Sequence, residues 1–309
     1  MIIPNSLTLR KSELSISDIL EDEIVIAAMS TSEKRAEIAL WSDLKQNNPE
    51  KIVFFERRDN NSCSIIKLDK KHDQVLLSDS IKILDILSGK RFLIDITGLR
   101  HNVWAPIVKI FRQQGIAFRV LYAEPSNYTR HPTPSSDSVF DLTTSFESMV
   151  PLPGFSKLTD PEEEHSLFVT MLGFEGSRPL RLLEPIEPKP TIIPIVGVPG
   201  FKLEYPTFAI TCNRDLLGIS SASAELRYAK ASCPFEAYQS LAQIRRDNPD
   251  HYMYIAPVGT KPHALGAILY AIDNPEFTEI LYDHPVGKVG RTEGKSKVNI
   301  YEFSGYNAT

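Results

Sequence analysis

Cysteine is scarce in this chain of 309 residues: Cys63, Cys212 and Cys233 are its three, odd in number and widely spaced. With no CxxC pair among them, neither a disulfide framework nor a zinc site is indicated, and reduced cytoplasmic thiols are expected. No stretch reaches the roughly 18 uninterrupted apolar residues of a membrane span. The N-terminal MIIPNSLTLRKSELSISD has neither the basic n-region nor the apolar h-region of a signal peptide. A cytoplasmic chain with no membrane partner is the expectation. Excess positive charge is missing too. A formal net charge of −5 argues against broad nucleic-acid coating, because phosphate binding draws on clustered Lys and Arg, but a local anion site stays open. Finally, no Walker A loop, GxGxxG fingerprint, GxSxG elbow, HExxH or DFG occurs. No metal or cofactor is therefore expected.

What is present is an ordinary globular composition, 42% hydrophobic and 24% charged, and a length that suggests about two domains. Short apolar runs alternate with helical spacing. In the first half EIVIAAMS (23–30), KIVFFER, SIIKLD, RFLIDITG (91–98) and AFRVLYAEP (117–125) read as strands. The stretch 32–47, with Ser32 as N-cap, LSDSIKILDILSGK closed by Gly89, and NVWAPIVKIFRQQG ending at Gly115 read as helices. In the second half HSLFVTMLG, HYMYIAPVG and TEILYDHP read as strands, and SRPLRLLEPIEP, CPFEAYQSLAQIRRDNPD and HALGAILYAIDN as helices. Strands spaced by helices imply parallel βαβ units. The stretch 126–164, rich in Ser, Thr and Pro, reads as a linker or surface excursion, and 287–297 as a loop before a terminal strand.

The halves correspond. DITGLRH at 95–101 occupies the place of APVGTKPH at 256–263: strand, Gly, basic residue, His, helix. LYAEP at 121–125 then matches LYDHP at 281–285. Gly98 and Gly259 are 161 positions apart, Tyr122 and Tyr282 160. Each half also opens with a strand followed by a Ser-plus-basic turn, STSEKR at 30–35 and FEGSR at 174–178. The fold expected is α/β, two Rossmann-like parallel-sheet domains from an internal duplication, divided as 1–150 and 151–309.

In open parallel sheets ligands bind beyond the carboxyl ends of the strands, where helix N-termini favour anions. Four turns qualify: 30–35, 97–101, 173–178 and 259–263. Each carries a hydroxyl or Gly with at least one cation, the residue types that let backbone, hydroxyl and charge approach a phosphate. The ligand-binding candidates are Gly259, Thr260, Lys261 and His263, then Thr97, Gly98 and Arg100, then Ser177 and Arg178. For acid–base chemistry the suspects are His263 and Glu175, with no convincing catalytic spacing around them. Asp283-His284 is an acid–His neighbour pair, but adjacent strand residues point to opposite faces.

APVGTKPHALGA resembles the signature of CARF-type Rossmann-like domains, in which Gly-Thr-Lys follows a core strand, and DITGLRHNVWAPI looks like a degenerate copy. The resemblance covers these two segments. It implies two facing domains with a cyclic oligonucleotide bound across their interface, here fused in one chain. Gly259, Thr260 and Lys261 would contact the ligand, with Thr97, Gly98 and Arg100 matching in the first half. It departs where Leu99-Arg100-His101 stands for Thr-Lys-Pro, and no effector domain is left over. The expected function is therefore binding of a nucleotide-like polyanion in a cleft between the halves, as a sensor or accessory protein of prokaryotic antiviral defence that acts through a protein partner in trans. The alternative is an enzyme acting on a nucleotide, of phosphodiesterase or N-glycosidase type. The third reading is a structural subunit whose turns are only turns.

Overall fold

The computed structural model describes residues 6–30, 33–68, 70–135, 138–157, 165–219 and 222–303. It is mixed α/β and divides into two compact units. One, the N-terminal unit, takes the chain through Asn127, then Leu152–Gly154 and the chain from Thr292. The second takes Tyr128–Pro151 and Phe155–Arg291. Among the described residues no helix is long and apolar enough to cross a membrane.

The N-terminal unit contains β1 (Ser6–Lys11), β2 (Glu23–Ala28), α1 (Ala39–Asn47), β3 (Ile52–Arg57), β4 (Ser62–Lys67), β5 (Lys70–Leu76), α2 (Ser80–Leu87), β6 (Arg91–Asp95), α3 (His101–Gln113) and β7 (Ala117–Tyr128). The second unit follows with β8 (Thr143–Phe146), β9 (Ser166–Met171), α4 (Ser177–Leu183), β10 (Thr191–Gly197), α5 (Tyr205–Cys212), α6 (Arg214–Leu217), β11 (Arg227–Ala229), α7 (Pro234–Asp247), β12 (Tyr252–Ala256), α8 (Lys261–Asp273), β13 (Thr278–Ile280) and β14 (Pro285–Gly287). The last strand, β15 (Thr292–Phe303), returns to the N-terminal unit.

The larger sheet has the order β1-β15-β7-β6-β2-β3-β4-β5. Its centre, β7-β6-β2-β3, is parallel. Its margins are not: β3/β4, β4/β5 and β1/β15 pair antiparallel. The sheet is thus mixed where a parallel one was expected, because β3, β4 and β5 are joined by turns too short for a crossover helix. The second unit's sheet, β11-β10-β9-β12-β13, is parallel throughout. In chain order it reads 3-2-1-4-5. Omitting β5, the run β4-β3-β2-β6-β7 reads the same way.

Core residues follow the apolar runs. Val25, Trp41, Leu44, Leu93, Leu121 and Ile300 form one cluster in the N-terminal unit. Phe168, Leu182, Val196, Leu216 and Val258 form another in the second.

Three local expectations are revised. The helix expected over 32–47 is a single 3-10 turn, Lys34–Ala36, and then α1; Ser32 lies outside the described residues. Arg35 and Ala36 are buried, so inward contacts override helical spacing. Ser88, not Gly89, takes the left-handed position that closes α2, at φ 43°. And the Ser- and Pro-rich stretch after Ser126 is partly packed. Phe140, 4% exposed, lies 4.6 Å from the Phe174 ring and 5.4 Å from that of Phe208.

Set beside a division at 150, β15 lies in the other unit. Its Val298, Ile300, Tyr301 and Phe303 are buried, and such burial stabilises by roughly 1.5–3 kcal/mol per side chain. A chain ending at Arg291 is expected to lose hydrogen-exchange protection at the β7 amides, since β15 lies beside β7 in the sheet. Unchanged protection of β7 would show that β15 is dispensable.

Candidate functional site

In the second unit, strand order reverses between β9 and β12: β10 and β11 lie to one side of β9, β12 and β13 to the other. Such a switch point in a parallel sheet opens a crevice beyond the strand ends. Two of the turns singled out from sequence flank it, one leading from β9 to α4 and one from β12 to α8. They touch through backbone. A Cβ on Gly173 would lie 2.6 Å from Val258 O, and one on Gly259 would lie 3.0 Å from Leu172 O. A side chain at Gly173 would force the turns to shift, and one at Gly259 would need its backbone neighbours to give by a few tenths of an ångström.

Thr260 is the N-cap of α8. Its hydroxyl accepts from the His263 N–H at 3.3 Å and donates to Ala231 O at 2.7 Å. That satisfies one orphan donor of the helix and ties α8 to the segment after β11. Lys261 follows at the first helical position, half-buried, with Pro262 next.

His263 differs from the role expected of it. It is fully buried, and its Nε2 lies 3.1 Å from Lys230 O. A carbonyl only accepts, so Nε2 carries the proton and the ring is the Nε2–H tautomer. Burial pushes its pKa down to about 4, against the hydrogen bonds to the Lys230 and Ala229 carbonyls. The ring is neutral near pH 7 and fixes backbone. It is not an exposed acid, base or cation.

Arg178 is also buried. Its guanidinium donates to Asp283 through Nε at 3.0 Å to Oδ2 and through Nη2 at 2.7 Å to Oδ1, the two-pronged geometry that suits Arg to carboxylate. Nη1 approaches Val258 O at 3.5 Å and Glu175 Oε2 at 3.7 Å. The guanidinium also lies 5.7 Å from the Tyr282 ring centre. Burial alone would lower its pKa; the Asp283 hydrogen bonds and charge outweigh that and raise it. Glu175 thus sits beside a cation that Asp283 already occupies. Ser177 begins the short α4 and is exposed. His284 turns its Nε2 to Val150 O at 2.9 Å, while both Asp283 oxygens are engaged by Arg178.

The candidates Thr97, Gly98 and Arg100 belong to the N-terminal unit, at the end of β6. Thr97 is fully buried: its Oγ1 accepts from Ala123 N–H and its own N–H donates to Asp95 Oδ1, each at 2.9 Å. Asp95 Oδ2 accepts from Trp41 Nε1 at 2.9 Å. Gly98 and Arg100 are half-buried, Arg100 as N-cap of α3. From the turn after β2, Arg35 donates to Ala123 O and, at 3.1 Å, to Glu33, and its guanidinium lies 5.1 Å from the Tyr122 ring. Thr292 completes this knot, its hydroxyl 2.6 Å from Glu33.

Sequence reading missed the segment Lys230–Ala231, whose carbonyls hold His263 and Thr260. It lies in a stretch, 201–232, that reads as irregular from sequence, and nothing local to it signals the role. It also treated Arg178 as ligand-facing, where burial against Asp283 makes it internal. Among the described residues, no group of three His, Cys, Asp or Glu side chains is placed to hold a metal ion.

Fold and edge geometry together define a two-unit mixed α/β protein with a switch-point turn built on glycine and a helix N-terminus. No protein-family model matches the chain, and neither curated proteins nor solved structures give a match.

Two outcomes are expected. Asp283→Ala leaves the Arg178 charge buried without its carboxylate and should cost about 3–5 kcal/mol in denaturant unfolding, while Arg178→Met with Asp283→Leu should recover much of it. If the single variant is as stable as wild type, the pair is not what holds this edge. The second concerns pH. His263 has its ordinary pKa of 6.5 when unfolded and about 4 when folded. The unfolded chain therefore binds the proton first, and stability present above pH 6.5 is lost as pH falls toward 4. The loss is about 3 kcal/mol at 1.36 kcal/mol per pKa unit. His263→Gln, which keeps a donor near Lys230 O, should lack that component when the two unfolding curves are compared across pH.

Proposed function

We propose that the second unit is a binding module for a nucleotide-like polyanion, seated at the turn from Gly259 to Lys261. The observation that carries this is the start of α8 at the switch point. There Gly173 and Gly259 keep side chains out of the way, and a thirteen-residue helix opens with Lys261 at its first position. Helix dipole, N-terminal N–H groups and ammonium all favour a phosphate-bearing group. Thr260 supports the site as N-cap rather than as a ligand contact, and His263 and Arg178 support it by holding its backbone.

The module is a sensor rather than an enzyme on this reading, since the His263 ring is inside the protein and bonded to Lys230 O. Its output is carried by a protein partner, which requires the ligand to bind one conformation better than another. Prokaryotic antiviral defence, suggested by the Gly-Thr-Lys resemblance, is the setting we propose.

We also read the two units as copies of one ancestral Rossmann-like unit. Two correspondences support this. Both sheets contain a run in the order 3-2-1-4-5. In both, an arginine from the turn after the first strand of that run lies over a tyrosine, Arg35 over Tyr122 and Arg178 over Tyr282.

The test is a thermal-shift and calorimetric screen against mononucleotides and cyclic di-, tri- and tetranucleotides. Lys261→Ala should weaken the binding ligand by about 1.5–3 kcal/mol, or about 10- to 150-fold, with its far-UV spectrum unchanged. Equal affinity in wild type and variant would remove Lys261 from the site. Binding by no nucleotide would end the nucleotide reading.

A further inference from the structure

A shallow groove of about 410 Å³ runs in the second unit beside β11 and along the outer side of α7. Tyr228 of β11 forms one wall, and Glu236, Gln239, Ser240, Gln243 and Arg246 succeed one another along the helix. None of these residues belongs to the Gly259 turn.

β11 is the end strand of its sheet, paired with β10 on one side. Val198 N–H donates to Ala229 O at 2.8 Å, so the Ala229 main chain faces β10. Main-chain groups alternate in direction along a strand, so Tyr228, one residue earlier, turns its N–H and C=O outward. The Tyr228 ring beside them is 59% exposed. An edge of this kind accepts another extended chain.

The groove's lining says what kind of chain. Gln239 carries a donor and an acceptor, as a peptide group does, whereas the Gln243 amide is used within α7, donating to Asp247 Oδ1 at 2.6 Å and accepting from Arg246. The walls combine polar side chains with the Tyr228 and Tyr238 rings and Ala242, a mixture that suits an extended peptide with alternating side chains. Charge is opposed at the ends. Glu236 is held there by the Lys230 N–H, 2.6 Å from its Oε2, and Arg246 donates to Gln243 Oε1 at 2.5 Å. Ten helical residues separate them, about 15 Å at ~1.5 Å each, which an extended chain spans in about five residues at ~3.3 Å.

We propose that this groove takes an extended peptide segment of a partner protein, added as a strand beside β11. A basic side chain of the segment lies toward Glu236 and an acidic one, about four residues away, toward Arg246. This inference stands independently of the nucleotide reading.

The experiment applies full-length protein to an array of immobilised pentapeptides with Lys and Asp at the ends in either order, the central positions varied among Val, Thr, Tyr, Ser and Asn. Peptides with like charges at both ends serve as comparison. Selective retention of one opposed-charge orientation is expected. Reversing the exposed charge with Arg246→Glu should weaken retention about tenfold. N-methylation of the peptide's central amides should abolish retention, and the best peptide should slow hydrogen exchange at the Tyr228 amide. Retention of no array member overturns the proposal. So does retention indifferent to end charge and N-methylation, or a Tyr228 amide that exchanges equally fast with and without peptide.

Discussion

The edge of the second unit depends on the buried pair between Arg178 and Asp283. Taking both charges out of water is costly, and the cost is offset only because the guanidinium meets both carboxylate oxygens, at 3.0 and 2.7 Å. The pair joins the turn after β9 to the segment after β13, and through Val258 O it reaches the turn after β12. The backbone contact at Gly173 and Gly259 lies between those attachments. The pair thus adds to the β9–β12 ladder and to the Asn213 hydrogen bond on Gly173 O in holding the two turns together. The N-terminal unit meets the same demand with Arg35, Glu33 and Ala123 O, roofed by Tyr122.

Holding turns in place uses up polar groups. The Thr260 hydroxyl is spent on a helix cap and on Ala231, the Thr97 hydroxyl on Ala123 N–H, and the His263 ring on Lys230 O. These are the residue types that a phosphate site is expected to show, and here each satisfies buried backbone instead. A buried donor or acceptor left unpaired costs about 1–3 kcal/mol, more than a typical net hydrogen bond contributes. Internal satisfaction therefore takes precedence over ligand contact. On the proposed reading, the ligand would meet the backbone at Gly259, the helix N-terminus and Lys261.

The groove beside β11 follows another logic. A parallel sheet must end somewhere, and a three-residue edge strand with one outward-facing residue, Tyr228, limits the exposed ladder without abolishing it. Short edges of this kind resist self-association while leaving room for a chosen partner. On the proposal made above, Gln239 and the opposed charges of α7 would make that choice.

Most strands and helices were legible in the chain alone, because apolar runs such as EIVIAA and YMYIA and the spacing of α3 and α7 report which face is buried. The joints from β6 to α3 and from β12 to α8, and the pairing of Arg35 and Arg178 with similarly placed turns, were legible too, because glycine and basic residues mark strand-to-helix turns. Other features were not. β5, KKHDQVL, has no apolar alternation and takes strand form by pairing with β4. That β15 returns to the N-terminal unit is a long-range pairing with β1 that local pattern does not encode. The sequence determined where the turns are and what residues they carry, since those are properties of neighbours along the chain. Which of their side chains face inward, as Arg178 and His263 do, was decided only by tertiary structure, because burial and the need to satisfy every buried polar group are set by what packs against them from elsewhere.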